Sequence, residues 1–228
     1  MSDINTLNIK GWEEVSDEAK KQLVSKSQII NYYTNETLLY LEGEEEIPLF
    51  IVLSGNAILS KFSETGEEKI LYIFGEGELI NELSLDGLRT SNSTRALKNS
   101  VLLSIKPTEL LTLMLKYKEL NILVIKSLTK KVRRTQRQAL NLGRLKTGQR
   151  IASKLWKLSR DYGISHPEGS LINLDINRTD IAAMVGTSRE TVSRFLTTLE
   201  KAKVISLIDN KIIIKDKKEL LKYVKSSE

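Results

Sequence analysis

Two hydrophobic rhythms divide the chain. Between about Ile29 and Ile105, short apolar runs (TLLYL, PLFIVLSG, NAILSKFS, KILYIF, SVLLSI) alternate with glycines at positions 43, 55, 66, 75 and 87. Runs of this length, punctuated by turn residues at near-regular spacing, predict an antiparallel sandwich or barrel. ETGEE, between two of the runs, reads as an exposed hairpin tip. The segment before the first run, GWEEVSDEAKKQLVSK, has helical character. The front half therefore reads as a small β-roll with a helical entry.

Near Pro107, a residue suited to a first helical turn, the rhythm becomes helical. Ile125, Leu128, Val132, Thr135, Ala139 and Leu142 recur at alternating steps of three and four, and Asn121 extends the series backward. This is an a/d seam of about three heptads. Lys130, Lys131, Arg133, Arg134 and Arg137 lie off the seam and leave its flanks too charged to bury on two sides. A parallel or near-parallel homodimer seam is expected, although a helix packed on its own domain has the same spacing. Thr135, the polar residue within the seam, is placed to face a ligand or to set register. Gly143 and Gly148 bracket an expected hinge, LGRLKTGQR.

Beyond the hinge, GQRIASKLWKLSRDYG predicts an amphipathic helix, SHPEGS a turn carrying His166, and LINLD a short strand. NRTDIAAMVG and GTSRETVSRFLTTLE predict two helices, and VISLIDNKIIIK two strands around an Asp209-Asn210 loop, both of whose residues tolerate positive φ. Ala182 is small where the two helices would cross, and Gly186 permits the sharp turn. Ile181, Val185, Val192 and Phe195 supply the shared contact. Asn177 caps the first helix, and Thr187 with Glu190 is expected to form a T-x-x-E capping box at the second. Helices of this kind followed by a β-hairpin describe a winged helix-turn-helix. The fold class is α+β, in three parts: a β-roll at 1–118, a dimerisation helix and hinge at 119–146, and a winged helix-turn-helix domain at 147–228.

Charge sharpens this division. Residues 1–125 hold 12 Lys/Arg against 19 Asp/Glu, whereas residues 126–228 hold 23 against 10. The basic back half suits double-stranded DNA, because neutralising phosphates releases counterions. Cysteine is absent and histidine occurs once, so no metal site, thiolate-held iron–sulfur cluster or disulfide is expected. No apolar run approaches the roughly 18 residues of a membrane span, and MSDINTLNIKGWEE lacks a signal-peptide pattern; a cytoplasmic protein is expected. With no Ser/His/Asp set, pocketed carboxylate pair or GxxxxGK[ST] loop, no enzyme activity is expected.

On the second helix of the pair, Val192, Phe195, Leu196 and Leu199 gather on one side and Arg189, Glu190, Ser193 and Arg194 on the other. In the major groove, Arg189 and Arg194 have the fork geometry to grip guanine, and Glu190 can accept from cytosine N4. Glu190 closing only its capping box is the alternative. Ser193 is a flexible polar contact, and Ser188 and Thr179 complete the candidate set. Lys201, Lys203 and Lys211 are either phosphate contacts or merely solvated.

With GTSRETVSRFLTTLE as recognition element, the order of β-roll, long helix and winged helix resembles the cyclic-AMP receptor protein and fumarate–nitrate regulator (Crp/Fnr) superfamily. The resemblance runs from about Tyr32 to Lys215 and is most specific at Arg189-Glu190-Thr191-Val192-Ser193-Arg194. It implies base reading by Arg189, Glu190 and Arg194 as in one branch, and by Glu190, Ser193 and Arg194 as in another. It also implies a palindromic site with a GA-containing half-site core, and RNA polymerase as a partner if the protein activates. On the effector side, the family's Gly-Glu-Leu stretch and following Arg-Ser/Thr pair become Asn81-Glu82-Leu83 and Arg89-Thr90-Ser91, with Thr135 at the position that touches the base. Asn81 replaces the glycine, and Glu82 and Arg89 are closer together than the family has them. The resemblance therefore implies a transcription regulator with effector sensing in 1–118 and DNA binding in 147–228, controlled by a small effector other than cyclic AMP. For that control, cyclic AMP itself and an effector-free regulator are the alternatives. The alternative is a β-roll subunit that binds a ligand and regulates a protein partner.

Overall fold

The computed structural model describes residues 9–33, 37–209 and 211–225, without the side chain of Leu142. The chain divides into two compact units, one of Met1–Gly66 and Ile70–Thr135, the other of Glu67–Lys69 and Gln136–Glu228.

The first unit begins with α1 (Asp17–Ser25), whose first turn is capped by Ser16 Oγ accepting from the Ala19 N–H. Eight strands follow: β1 (Ser27–Tyr32), β2 (Thr37–Tyr40), β3 (Leu49–Ser54), β4 (Ala57–Phe62), β5 (Glu68–Phe74), β6 (Leu79–Ile80), β7 (Ser93–Ala96) and β8 (Ser100–Ile105). They form two four-stranded sheets, ordered β1-β8-β3-β6 and β2-β7-β4-β5. Successive strand side chains point to opposite faces, and that alternation gives β3 and β8 two buried sides. Leu49, Ile51, Leu103 and Ile105 pack against Trp12, Ala19, Leu23, Leu110 and Leu120. Phe50, Val52 and Leu102 pack instead with Tyr40, Tyr72, Phe74 and Ala96. Burying each such side chain contributes about 1.5–3 kcal/mol. Trp12 also donates its Nε1–H to the Gly77 carbonyl at 2.8 Å.

Between β6 and β7 lies a short 3₁₀ segment, Glu82–Asp86. The helical stretch expected from Pro107 is two helices, α2 (Pro107–Lys116) and α3 (Lys118–Arg144), because Tyr117 adopts an extended conformation between them. The expected hinge shrinks to Leu145 and Lys146, with Gly143 and Gly148 inside helices. Gly148 has a packing reason: a Cβ there would stand 2.9 Å from the Phe195 ring.

The second unit contains α4 (Thr147–Asp161), β9 (Gly163–His166), β10 (Gly169–Ile172), α5 (Arg178–Val185), α6 (Arg189–Lys201), β11 (Ile205–Ile208), β12 (Lys211–Ile214) and α7 (Lys217–Lys225). Its strands form one sheet, β11-β12-β10-β9. His166 therefore lies in a strand rather than in a turn, and the strand expected at LINLD starts earlier, at Gly169. Ile208 pairs with Lys211 across the expected loop; Asp209 has φ 49°, and Asn210 lies outside the described residues. The sequence reading missed α7 entirely. Asp216 Oδ1 accepts from the Lys218 and Glu219 N–H groups at its start. Leu220 is fully buried, and Tyr223 meets Phe195 edge-on at 6.2 Å.

Candidate nucleic-acid interface

The pair α5 and α6 is set by two caps and a turn. Asn177 Oδ1 accepts from the Thr179 and Asp180 N–H groups, and Asp180 accepts from the Asn177 N–H in return. Gly186 then turns the chain with φ 76°, a left-handed conformation that costs glycine nothing. The cap of α6 differs from the expectation. Ser188, not Thr187, is the N-cap and accepts from the Thr191 N–H. The expected Thr187–Glu190 capping box does not form, since the third helical position is Thr191; the Glu190 carboxyl meets the Ser188 hydroxyl instead.

Val192, Leu196 and Leu199 are buried and Phe195 half-buried, which turns the opposite side of α6 outward. Ser188, Arg189, Glu190 and Arg194 are exposed and Ser193 half-buried. The Glu190 carboxyl is held below the usual carboxylate range by its own backbone N–H and by the Ser188 hydroxyl, with Arg189 and Arg194 adding to the effect. Arg194 Nη2 lies 3.4 Å from Thr191 Oγ1, whose hydroxyl is 3.1 Å from that of Ser188. Two cationic forks and one anionic acceptor thus share an uncovered face, which is the chemistry base edges require. Thr179 is exposed at the start of α5, and Lys201, Lys203 and Lys211 are exposed beyond α6.

The seam positions on α3 are uncovered in the single chain. Ile125 is 61% and Val132 55% exposed, Thr135 and Ala139 are exposed, and Leu128 is half-buried. The side chain of Leu142 lies outside the description. The flank that was expected to stay out of any core is a second stripe, one position round the helix. Leu120 and Val124 are buried there. Lys131 donates to Glu82 and to the Leu79 carbonyl, and Arg134 lies over the Tyr72 ring at 4.2 Å. Charges line this flank, yet it packs.

The candidate effector residues are bonded to separate partners. Asn81 has φ 68°, the left-handed region that glycine favours and that asparagine tolerates better than most residues. Its side-chain amide donates to the Ile47 and Pro48 carbonyls at 3.3 and 3.2 Å. Glu82 is buried, with its two oxygens held by Ser127 and Lys131. Burial holds the Lys131 ammonium below the ordinary lysine range, against the opposing pull of Glu82. Arg89 lies at the surface, paired with Glu45 at 2.7 Å. Thr90 is buried, donating to the Leu41 carbonyl and accepting from the Glu44 N–H. Leu83 and Ser91 are exposed. The sequence reading missed Ser127 and Lys131 as partners of Glu82, although Leu120, Val124, Ser127, Lys131 and Arg134 recur at helical spacing. Among the described residues no group of three or more His, Asp or Glu side chains is arranged to hold a metal ion, and no helix is long and apolar enough to cross a membrane.

Known proteins share this architecture. Residues 30–117 match a cyclic nucleotide-binding domain and residues 149–223 a Crp-like helix-turn-helix domain. The chain is 28% identical to a global nitrogen regulator of Synechocystis over 82% of its own length and 84% of that protein's. It is 26% identical to the cAMP-activated global transcriptional regulator CRP of Haemophilus influenzae, over 89% and 95%. In fold it is similar to the c-di-GMP-responsive global regulator CLP of Xanthomonas campestris, with a TM-score of 0.78 at 23% identity, covering 88% of this chain and 100% of that one. It is similar also to FixK2 of Bradyrhizobium japonicum, with a TM-score of 0.77 at 19% identity, over 89% and 99%. With the cyclic nucleotide-binding-like β-roll and the Crp-like reader in this order on one chain, the protein belongs to the Crp/Fnr superfamily of transcription regulators.

Proposed function

We propose that the chain acts as a cytoplasmic homodimer that reads a palindromic DNA site through α6 and regulates transcription by binding rather than catalysis. One observation carries the reading: α6 buries Val192, Leu196 and Leu199 while Arg189, Glu190 and Arg194 stand together and uncovered. Arg189 and Arg194 are assigned to guanines, Glu190 to a cytosine amino group, and Ser193, Ser188 and Thr179 to adjoining base or phosphate contacts. The exposure of Glu190 beside Arg189 and Arg194 supports a role on DNA. The division into 1–118, 119–146 and 147–228 corresponds to sensing, pairing and reading. Pairing runs through Ile125, Leu128, Val132, Thr135, Ala139 and Leu142, and would place the two α6 helices about one DNA turn apart. When the bound dimer activates, RNA polymerase is its partner.

A small effector, if the protein takes one, would bind the β-roll. Cyclic AMP is a poor fit: Glu82 is engaged by Lys131 and Arg89 by Glu45. The test of the reader is Arg194→Ala, compared with the unchanged protein by fluorescence anisotropy on the preferred duplex and on single-base variants of it. Specific binding should weaken by about 1–3 kcal/mol, and base choice should relax at one position per half-site. An unchanged specificity profile would remove α6 as the reading element.

A further inference from the structure

Glu82 is the residue of the effector segment that burial affects most. Its side chain is 2% exposed, and both carboxylate oxygens are taken, Oε1 by the Ser127 hydroxyl and Oε2 by the Lys131 ammonium. Lys131 also donates to the Leu79 carbonyl at 2.9 Å and lies 4.8 Å from the centre of the Phe74 ring. Beside this knot, Glu78 receives the Tyr72 hydroxyl at 2.7 Å, the Lys130 ammonium at 2.6 Å and the Gly75 N–H at 2.8 Å. Ser127, Lys131 and Arg134 lie on one face of α3. The helix is thus fastened along two turns to the segment from β5 to the 3₁₀ helix, and it remains continuous from Lys118 to Arg144 with these bonds made.

A carboxylate at this depth must keep its partner, because removing one member leaves an unpaired buried charge. Any ligand seeking Glu82 must displace an ammonium tethered to the same chain, which competes at a high effective concentration. We propose that Lys131 is a built-in occupant of the effector-side glutamate, holding α3 and the effector segment in the DNA-binding arrangement with no cyclic nucleotide bound. Glu82 then serves to attach the dimer helix rather than to sense a ligand. This inference rests on the DNA-reading function proposed above.

The test starts with the full chain selecting duplexes from a random library, with and without added cyclic AMP or cyclic GMP. A palindrome enriched without nucleotide is expected, with affinity changing less than about twofold on adding either one, well below ordinary coupling between sites. Lys131→Met should weaken binding to that palindrome by about tenfold, within the ordinary range of such coupling, and Lys131→Arg should restore most of it. Combining Glu82→Gln with Lys131→Met should cost no more than Lys131→Met alone. Enrichment only with a cyclic nucleotide, or a Lys131→Met protein equal to the original, overturns the clamp while leaving the DNA reader standing. No enriched sequence in any arm overturns the reader itself, and the clamp with it. Should Lys131→Met fail to fold, as judged by its circular-dichroism melt, calorimetric titration of the original chain decides: no cyclic-nucleotide binding supports the clamp, and saturable binding overturns it.

Discussion

Ser188 carries two consequences at once: it starts α6, and its hydroxyl also meets the Glu190 carboxyl. Because Ser188 Oγ accepts from the Thr191 N–H, Ser188→Ala should lower the stability of the protein to urea by about 0.5–2 kcal/mol, the usual cost of losing a hydroxyl cap. Thr187→Ala, lacking that bond, should cost distinctly less; equal losses would mean the helix starts a residue earlier. The sequence contains two adjacent hydroxyls before an acid, and spacing alone does not choose between them. The choice is made by the turn, because the N-cap needs an extended backbone, found at Ser188, while Gly186 has just left α5. Asn81 gives the converse case. Its departure from glycine was plain in the sequence. Its left-handed backbone and its bonds to the Ile47 and Pro48 carbonyls depend on a segment more than thirty residues away.

At the scale of elements, α3 carries two stripes, and only one was legible. The seam at Ile125, Leu128 and Val132 is apolar and repeats, so periodicity finds it. The neighbouring stripe begins apolar at Leu120 and Val124 but continues as Ser127, Lys131 and Arg134, which a hydrophobicity count reads as solvated. Only the acids and rings opposite it, Glu82, Phe74 and Tyr72, make it a packing face. The two stripes predict different mutant behaviour. Leu128→Glu places a charge in the seam and should give monomers by analytical ultracentrifugation, with weakened DNA binding and a β-roll that still melts cooperatively. A dimer that survives the change would move the interface elsewhere. The hidden α7 has a similar explanation. DKKELLKYVK is mostly charged, and its helical register is visible only through Asp216 as cap, through the buried Leu220, and through Tyr223 and the Val224 carbonyl, which meet Phe195 of α6 and Gln149 of α4.

For the whole molecule, the order of β-roll, long helix and winged reader was legible because each part has its own rhythm: short runs between glycines, a heptad, then a tight helix pair. What escaped were contacts between distant segments, which no local rhythm encodes. The charge division between the halves makes a prediction at this scale. The proposed dimer, making about 6–10 phosphate contacts, should lose about 10³–10⁵ in affinity between 50 and 200 mM salt, with the logarithmic slope reporting the number of contacts. A nearly flat salt response would exclude the basic half as the DNA-facing surface.

The packing of α7 beneath the reader has a genetic consequence. Gln149 on α4 donates to the Val224 carbonyl, Tyr223 meets Phe195 of α6, and Leu220 is fully buried. A nonsense mutation after β12 would therefore strip the reader of its support while sparing the β-roll and the seam. In the proposed dimer, such a product would still pair with normal subunits, leaving each mixed dimer with one competent α6 for the proposed two-part site. Its allele should be dominant over the normal copy, whereas a nonsense mutation before the seam, which yields no pairing surface, should be recessive.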